Sequence, residues 1–285
     1  MSLDCTWQIP RIFVLPCLKF LPDYKEGACS EELTSILLGC MPRIEIGAEK
    51  IFSFLGLPIT NTLLTSWIVL LILSLLAYLV MKRINIVPAT LQNILEFFVE
   101  KFLGVMEGVF GSKQTAEKYF PIIATLFLFI LLCNWFGILP GIGSVGFFEE
   151  HDGKEVFVPI LRSAASDINF TLALAITDVF LVNILGIAAI GLGRHISKFF
   201  TFRSPLDFFV GVLEFISEIA KMISFSFRLF GNVFAGEVLL VITAFLVPYL
   251  IPVPFLALEL FVGFVQALVF AMLTTVFISI AVQQH

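Results

Sequence analysis

Five long apolar segments decide what this chain can fold into. They cover residues 59–81, 121–139, 168–192, 206–247 and 255–282, and each is close to or above the roughly 20 residues that an α-helix needs to cross a bilayer core. Hydrophobic residues make up 59% of the chain, and its mean hydropathy is +1.03. A soluble core could not bury that much apolar surface. We therefore predict an all-α polytopic membrane protein with about five membrane-embedded helices.

The last two segments are too long to stand upright in a bilayer. No proline interrupts the chain between Pro205 and Pro248. A helix over residues 206–247 would be about 63 Å long, about twice the thickness of the hydrocarbon core. A helix over residues 255–282 would be about 42 Å long, and the proline-rich sequence VPYLIPVP precedes it. The sequence thus predicts two long, strongly tilted helices joined as a hairpin.

Residues 91–110 have the pattern of an amphipathic surface helix. We expect this helix to lie on the membrane surface or to pack against a partner helix. Its apolar face would consist of Leu91, Leu95, Phe98, Phe102, Val105 and Val109, and its polar face of Asn93, Glu96, Glu100 and Glu107.

The charges of the short loops predict the topology. Basic residues follow the first and third segments, whereas residues 141–166, after the second segment, are mainly acidic. Because basic loops stay on the inner side of a membrane, we predict an external N-terminus and an internal C-terminus. Residues 1–58 would then form an N-terminal extension on the external side, with a short helix near residues 30–38. Residues 59–285 would form a single membrane domain.

The cysteines and the net charge narrow the classes of site. Cys133 lies inside an apolar segment, where we expect it to pack as a small hydrophobic residue. The other cysteines precede the first apolar segment and could pair into two disulfides. None of them has the spacing of a zinc site, and we expect no metal ion or other cofactor. The net charge of −5 argues against binding to nucleic acid. The four N-terminal cysteines are Cys5, Cys17, Cys29 and Cys40.

An arginine lies in the middle of the fourth apolar segment. Arg228 would cost about 2.5–3.5 kcal/mol to insert into a bilayer, so it indicates a functional site. Its guanidinium stays charged, so it could attract a carboxylate on a neighbouring subunit and repel a leaking cation. The alternative is an internal salt bridge between two helices. At 100° per residue, Arg228 belongs to a polar stripe about 27 Å long, and Glu237 points to the opposite side. The stripe consists of Glu214, Ser217, Lys221, Ser224, Arg228 and Asn232.

The sequence around Arg228, SFSFRLFGNVFAGEVLL, resembles the arginine helix of subunit a of rotary F-type ATP synthases. The run RLFGN-x-x-AGE is specific to that family, and the resemblance extends from about residue 59 to the C-terminus. It implies a proton-translocating stator subunit that offers two offset half-channels to a rotating c-ring. Peripheral-stalk b subunits and the lipid bilayer would be its other partners. The subunit would be non-catalytic, with no site for ATP chemistry. The long external N-terminus favours a bacterial plasma membrane over a mitochondrial inner membrane.

The resemblance also implies roles for individual residues. Arg228 would separate the two half-channels. Glu237 and Glu259 would form the proton inlet, although the family often has histidine in place of Glu259. Asn232 and Gln266 would be amides that line the channel near Arg228, with an ordinary interhelical hydrogen bond as the alternative.

Further polar residues would extend the two paths. By the same resemblance, Glu214, Ser217 and Ser224 would line the internal half-channel. Asp167 and Asn169 lie in the run SDINFTLALA, which the family uses at the external end of its third helix, and they would contribute to the inlet. Asp167 could instead serve only as a helix cap.

Some alternatives stay open at the level of sequence. Glu259 could be a charge at the start of a helix near the external interface. Asp178 could extend the inlet or bond to a neighbouring backbone. A secondary ion transporter or a channel that acts without a rotor would also explain intramembrane charges. An intramembrane enzyme would need a nucleophile or a metal set, and the sequence has no such motif.

Overall fold

The structure is a computed structural model, and it describes residues 50–54, 57–82, 90–139, 146–151, 154–193, 205–246 and 252–283. Six helices dominate these residues. They are α1 (Asn61–Lys82), α2 (Thr90–Phe110), α3 (Lys113–Ile138), α4 (Ile168–Ile190), α5 (Pro205–Leu246) and α6 (Pro252–Gln283). Two antiparallel hairpins lie outside them. They are β1 (Lys50–Phe54) with β2 (Leu57–Thr60), and β3 (Gly146–His151) with β4 (Lys154–Pro159).

All of these helices except α2 are long and apolar enough to cross a membrane. The prediction of an all-α polytopic membrane protein with five such helices and one amphipathic helix is confirmed. The β1–β2 hairpin precedes α1 in the chain, and the β3–β4 hairpin lies in the segment between α3 and α4. At 1.5 Å per residue, the 42 residues of α5 span about 63 Å. The predicted strong tilt of α5 and α6 stays a prediction.

Two helices begin before the apolar segments that predicted them. Helix α3 begins at Lys113, because Ser112 caps it by accepting a hydrogen bond from the Thr115 backbone N–H at 3.4 Å. Helix α6 begins at Pro252, within the stretch that we expected to be a turn. Proline needs no hydrogen-bond partner in the first turn of a helix, because the N–H that it lacks would have no acceptor there.

The apolar face predicted for α2 was partly wrong. Phe102, Met106 and Phe110 are buried, whereas Val105 is 54% exposed. Buried side chains four residues apart form one ridge, and this ridge packs against α3 and α6. Phe102 also stacks on Phe98, with ring centroids 5.6 Å apart. Of the two predicted settings, the structure supports packing against partner helices.

Aromatic contacts hold α5 against α6. The rings of Phe225 and Phe270 lie 4.7 Å apart, and Phe277 lies 5.7 Å from Phe225 on the other side. Helix α3 packs along α6, where Trp135 Nε1 donates a hydrogen bond to the Leu260 carbonyl at 3.1 Å. These contacts bring α3, α5 and α6 together around the site that is described below.

The predictions for the N-terminal region lie mostly outside the described residues. The short helix at residues 30–38 and the four N-terminal cysteines fall there. Only the end of the predicted extension is described, and it forms part of the β1–β2 hairpin. Cys133 is a free, buried cysteine packed with Val69 and Ala164, as the sequence predicted.

Candidate functional site

Arg228 lies at the edge of the contact surface of α5. Phe225, Leu229 and Val233, on the covered side of the helix, are buried, whereas Phe227 is 57% exposed on the other side. The Arg228 side chain is half-buried. It forms no ion pair with any residue that the structure describes. Within the described chain, the alternative of an internal salt bridge therefore has no support.

The open face of α5 beside Arg228 carries small side chains. Successive members are three, four or seven positions apart, so they share one face of the helix. Another helix could approach the α5 backbone closely along this face, because small residues leave room for it. We call these residues the open stripe: Ser217, Ala220, Ser224, Gly231 and Ala235, all of them exposed.

Glu237 forms an ion pair with Arg162, which precedes the 3₁₀ turn Ala164–Ser166. The Oε2 atom of Glu237 accepts hydrogen bonds from Arg162 Nη2 at 3.2 Å and from Arg162 Nε at 3.4 Å. The two side chains are 17% and 22% exposed. Arg162 lies in the mainly acidic stretch of residues 141–166, and the sequence did not indicate a role for it. The one signal in the sequence that Arg162 lies near the site was its position, four residues before the run SDINFTLALA that begins at Ser166.

Glu259 is buried against the backbone of α5. Its carboxyl group lies beside Gly236, where a Cβ atom would overlap Glu259 Oε1. The charges of Glu259 and Glu237 are close enough to interact across the hairpin. Their predicted role as a proton inlet stays a prediction. Glu259 is not an exposed charge at a helix start, as the alternative required.

The two predicted amides meet next to this carboxylate pair. Asn232 Nδ2 donates a hydrogen bond to Gln266 Oε1 at 2.6 Å. A third amide, which the sequence analysis did not single out, lies nearby on α3: Asn134 Nδ2 donates to the Gly263 carbonyl at 3.0 Å. A polar residue inside an apolar segment was the available signal for Asn134.

Asp167 caps α4. One of its oxygens accepts a hydrogen bond from the Asn169 backbone N–H at 2.9 Å, and the other accepts one from Thr62 Oγ1 on α1 at 3.0 Å. These contacts support the alternative role as a helix cap. A contribution of Asp167 and Asn169 to the inlet stays a prediction, because the hydrogen bonds of the Asp167 carboxylate go to Asn169 and Thr62.

The other polar residues of α5 lie further along the helix. Glu214 is half-buried, and Ser217 and Ser224 are exposed. Lys221 pairs with Glu218 at 2.8 Å and lies over the ring of Phe277. Glu214 is fourteen positions from Arg228, or about 21 Å along the axis. These residues are therefore well separated from the carboxylate pair.

Asp178 binds a side chain on α6. Both of its oxygens lie 3.0 Å from Thr274 Oγ1, and the carboxyl group is 2% exposed. Of the two open possibilities, bonding to a neighbour is the one observed, although the partner is a hydroxyl and not a backbone group.

The arrangement can take up protons on one side and hold a fixed cation on another. Two neighbouring carboxyl groups of a low-dielectric region share protons readily. Glu237 and Arg228 are nine residues apart on α5 and point to opposite sides of it. Helix α5 thus places the proton acceptor Glu237 on one side and, among the described residues, the unpaired Arg228 guanidinium on the other.

Comparison with known proteins gives consistent matches. Residues 63–279 match the sequence model of the ATP synthase A chain family. The protein named ATP synthase subunit a from Moorella thermoacetica is 33% identical over 236 residues, which are 83% of this chain and 97% of that protein. The protein of the same name from Gloeobacter violaceus is 34% identical over 260 residues, which are 89% of this chain and 98% of that protein. The protein of the same name from Mycobacterium marinum is 33% identical over 247 residues, which are 85% of this chain and 94% of that protein.

Proposed function

Since the chain belongs to the ATP synthase A chain family, and is thus a multi-pass membrane-sector subunit with a role in proton translocation, we propose that it is the stator that faces a rotating c-ring. It offers the ring two offset half-channels, and Arg228 keeps them apart. ATP chemistry is assigned to other subunits of the complex.

The unpaired Arg228 is the observation that supports this proposal most strongly. A cation inside an apolar membrane segment is costly without a partner, and among the described residues no carboxylate pairs with the half-buried Arg228. A carboxylate arriving on a neighbouring helix would remove that cost. The open stripe gives such a helix room to come close, because its residues are small and exposed. The proposed occupant of the stripe is a helix of the c-ring.

The proposed inlet starts at the carboxylate pair. A proton entering from the external side binds at Glu237 or Glu259 and passes to the ring carboxylate. Arg162 supports this role, since its ion pair fixes the Glu237 carboxylate beside Glu259. Asp167 lies at the start of α4 near the same end of the bundle and is proposed as the outer margin of the inlet.

The proposed outlet runs along the other end of the polar stripe. After nearly one turn of the ring, the proton leaves the ring carboxylate near Arg228. It then passes Ser224, Ser217 and Glu214 to the internal side. Each charge that crosses a potential of 100 mV releases about 2.3 kcal/mol, so the ring must sum several transfers for each ATP.

The proposed partners are the c-ring, the peripheral-stalk b subunits and the lipid bilayer. The exposed apolar side chains of α1, among them Trp67, Leu71 and Tyr78, suit contact with lipid. The matched relatives are bacterial, which supports a bacterial plasma membrane as the location.

A transporter or channel that works without a rotor predicts a different result in reconstitution. We expect liposomes that contain the purified chain alone to show no proton flux above empty liposomes under an imposed pH gradient. Liposomes that contain the complete membrane sector should conduct protons. Flux through the isolated chain at the rate of the complete sector would exclude the stator assignment and favour the transporter.

A further inference from the structure

Asp178 is a buried acid that neither of the proposed proton paths uses. It lies near the middle of α4 and is 2% exposed. The hydroxyl of Thr274 on α6 lies against it, 3.0 Å from each carboxyl oxygen, and Thr274 is fully buried. Because an acid inside a membrane segment is costly, its presence needs an explanation in structure or in function.

No basic residue packed against α4 forms an ion pair with Asp178. The elements that pack on α4 are α5, α6 and the 3₁₀ turn Ala164–Ser166, and in their described residues the basic side chains are Lys221 and Arg228. Lys221 pairs with Glu218 at 2.8 Å, and Arg228 forms no ion pair within the described chain. An ionised Asp178 would therefore have no cation to balance it. The acidic residues of these elements, which cannot stabilise a further negative charge, are Asp207, Glu214, Glu218, Glu237 and Glu259.

The hydrogen atoms available at Thr274 favour a protonated Asp178. A threonine hydroxyl has one hydrogen to donate and two lone pairs that accept. Three oxygens lie close to Thr274 Oγ1, namely both carboxyl oxygens of Asp178 at 3.0 Å and the Phe270 carbonyl at 3.1 Å. A threonine hydroxyl in a helix can donate to the carbonyl four residues earlier, which here is that of Phe270. Thr274 Oγ1 then faces Asp178 as an acceptor, so the carboxyl group supplies the hydrogen.

The surroundings of the pair also disfavour an ionised carboxylate. Ala175 on α4 and Ala271 on α6 are 0% exposed and belong to the apolar core that joins these helices. A carboxylate in such surroundings is strongly disfavoured, and an acid without a cation takes up a proton instead. With Asp178 protonated, each hydrogen has an acceptor, because Asp178 bonds to Thr274 and Thr274 bonds to the Phe270 carbonyl.

We propose that Asp178 is a permanently protonated carboxyl group, which positions Arg228 by fixing α6 against α4. Its hydrogen bond to Thr274 holds the segment of α6 that contains Phe270. The Phe270 ring lies 4.7 Å from Phe225 on α5, and Phe225 is three residues before Arg228. Asp178 is thus a positioning residue and not a proton carrier. The inference rests on the proposed function of Arg228 and adds to it the contacts that keep the guanidinium in place.

An amide at position 178 tests the charge of this group. Asp178→Asn has nearly the same size, stays neutral and can still donate a hydrogen bond to Thr274. We expect gradient-driven ATP synthesis in liposomes to stay within about twofold of the unaltered complex, as for a substitution that removes no interaction. The infrared difference spectrum of the two purified complexes at neutral pH should contain the carbonyl band of one protonated carboxyl group, which is lost in Asp178→Asn.

Loss of the hydroxyl tests the link to Arg228. Thr274→Val keeps the shape of the side chain but leaves the Asp178 hydrogen without an acceptor. Synthesis per assembled complex should fall about fivefold, and the proton leak without nucleotide should rise about twofold or more, because Arg228 loses its fixed place between the half-channels. Thr274→Ser retains the hydroxyl and should restore both values. Thr177→Val is the matched control on α4, where the hydroxyl is exposed and donates to the Ala173 carbonyl at 2.8 Å.

Three results would overturn the inference. They are synthesis in Asp178→Asn as low as in Thr274→Val, a difference spectrum without the carboxyl band, or a proton leak in Thr274→Val no greater than in Thr177→Val. If Thr274→Val does not assemble, Asp178→Asn and its spectrum decide. The proposed function fails separately. Normal synthesis in Arg228→Ala would refute the stator role, whereas an inactive Arg228→Ala together with an inactive Asp178→Asn would refute only the role given to Asp178.

Discussion

The two central charges of α5 have different surroundings. Glu237 is held by Arg162 from the segment before α4, whereas Arg228 has no ionic partner among the described residues. A charge inside a membrane segment normally needs a partner or a role that requires it to be unpaired. Glu237 therefore belongs to a preformed ion pair within the chain, and we propose that Arg228 belongs to a site that another subunit completes.

Removal of Arg162 should impair the inlet. We expect Arg162→Leu to lower gradient-driven ATP synthesis about tenfold or more. The Arg162–Glu237 pair is largely screened from solvent, so breaking it leaves a carboxylate without its cation, and the loss of Arg162 would release the Glu237 carboxylate from its fixed position. The measurement is the rate of ATP synthesis in vesicles, normalised to the amount of assembled complex.

Lys113→Leu is the matched control for Arg162→Leu. The Lys113–Glu117 pair is 4.0 Å long, and its side chains are 66% and 56% exposed, so its loss should change the rate less than twofold, since exposed pairs contribute little. Equal rates in both variants would show that the Arg162–Glu237 pair has no part in the inlet.

The glycine before Glu237 is needed for the approach of Glu259. We expect Gly236→Ala to slow proton uptake about tenfold, because the added Cβ would overlap the Glu259 carboxyl group and force a buried side chain to move. Gly108→Ala is the control, since a Cβ there meets no atom within 4 Å. Proton pumping by Gly236→Ala at the rate of Gly108→Ala would contradict the packing of Glu259 on α5.

At the scale of the element, sequence predicted the helices better than their ends. The long apolar segments predicted the central parts of α1, α3, α4, α5 and α6, because the length and hydropathy of a segment can be read from neighbouring residues in the sequence. The starts of α3 and α6 were missed because prolines near them looked like helix breaks. Ser112 caps α3 ahead of Pro121, which lies inside the helix, and Pro252 is the first residue of α6. The β3–β4 hairpin was also missed, although Asp152-Gly153 between its strands is a hairpin signal.

The open stripe of α5 should tolerate only small residues. We expect Ala235→Leu to abolish proton-driven ATP synthesis, because a leucine there would keep a ring helix away from the α5 backbone. Ala188→Leu makes the same exchange at another exposed alanine, on α4, and should be neutral. The measurement is ATP synthesis together with co-purification of the c-ring. Full synthesis and normal co-purification in Ala235→Leu would place the ring contact elsewhere.

At the scale of the whole molecule, the site is assembled from segments that are distant in sequence. Arg162 and Glu237 are 75 residues apart, and Asn134 and Gly263 are 129 apart. The motif around Arg228 predicted the residues on α5 and, through the family pattern, their partners on α6. It could not predict Arg162 or Asn134, because helix packing and not spacing along the chain determines such long-range contacts.

We propose that a permanent cation at position 228 makes rotation of the c-ring productive. The most direct test is ATP synthesis by purified complexes that carry Arg228→Ala, reconstituted in liposomes and driven by an imposed proton gradient. We expect the complex to assemble with its c-ring and ATP synthesis to fall to the background of liposomes without complex. Synthesis near the rate of the unaltered complex would contradict it.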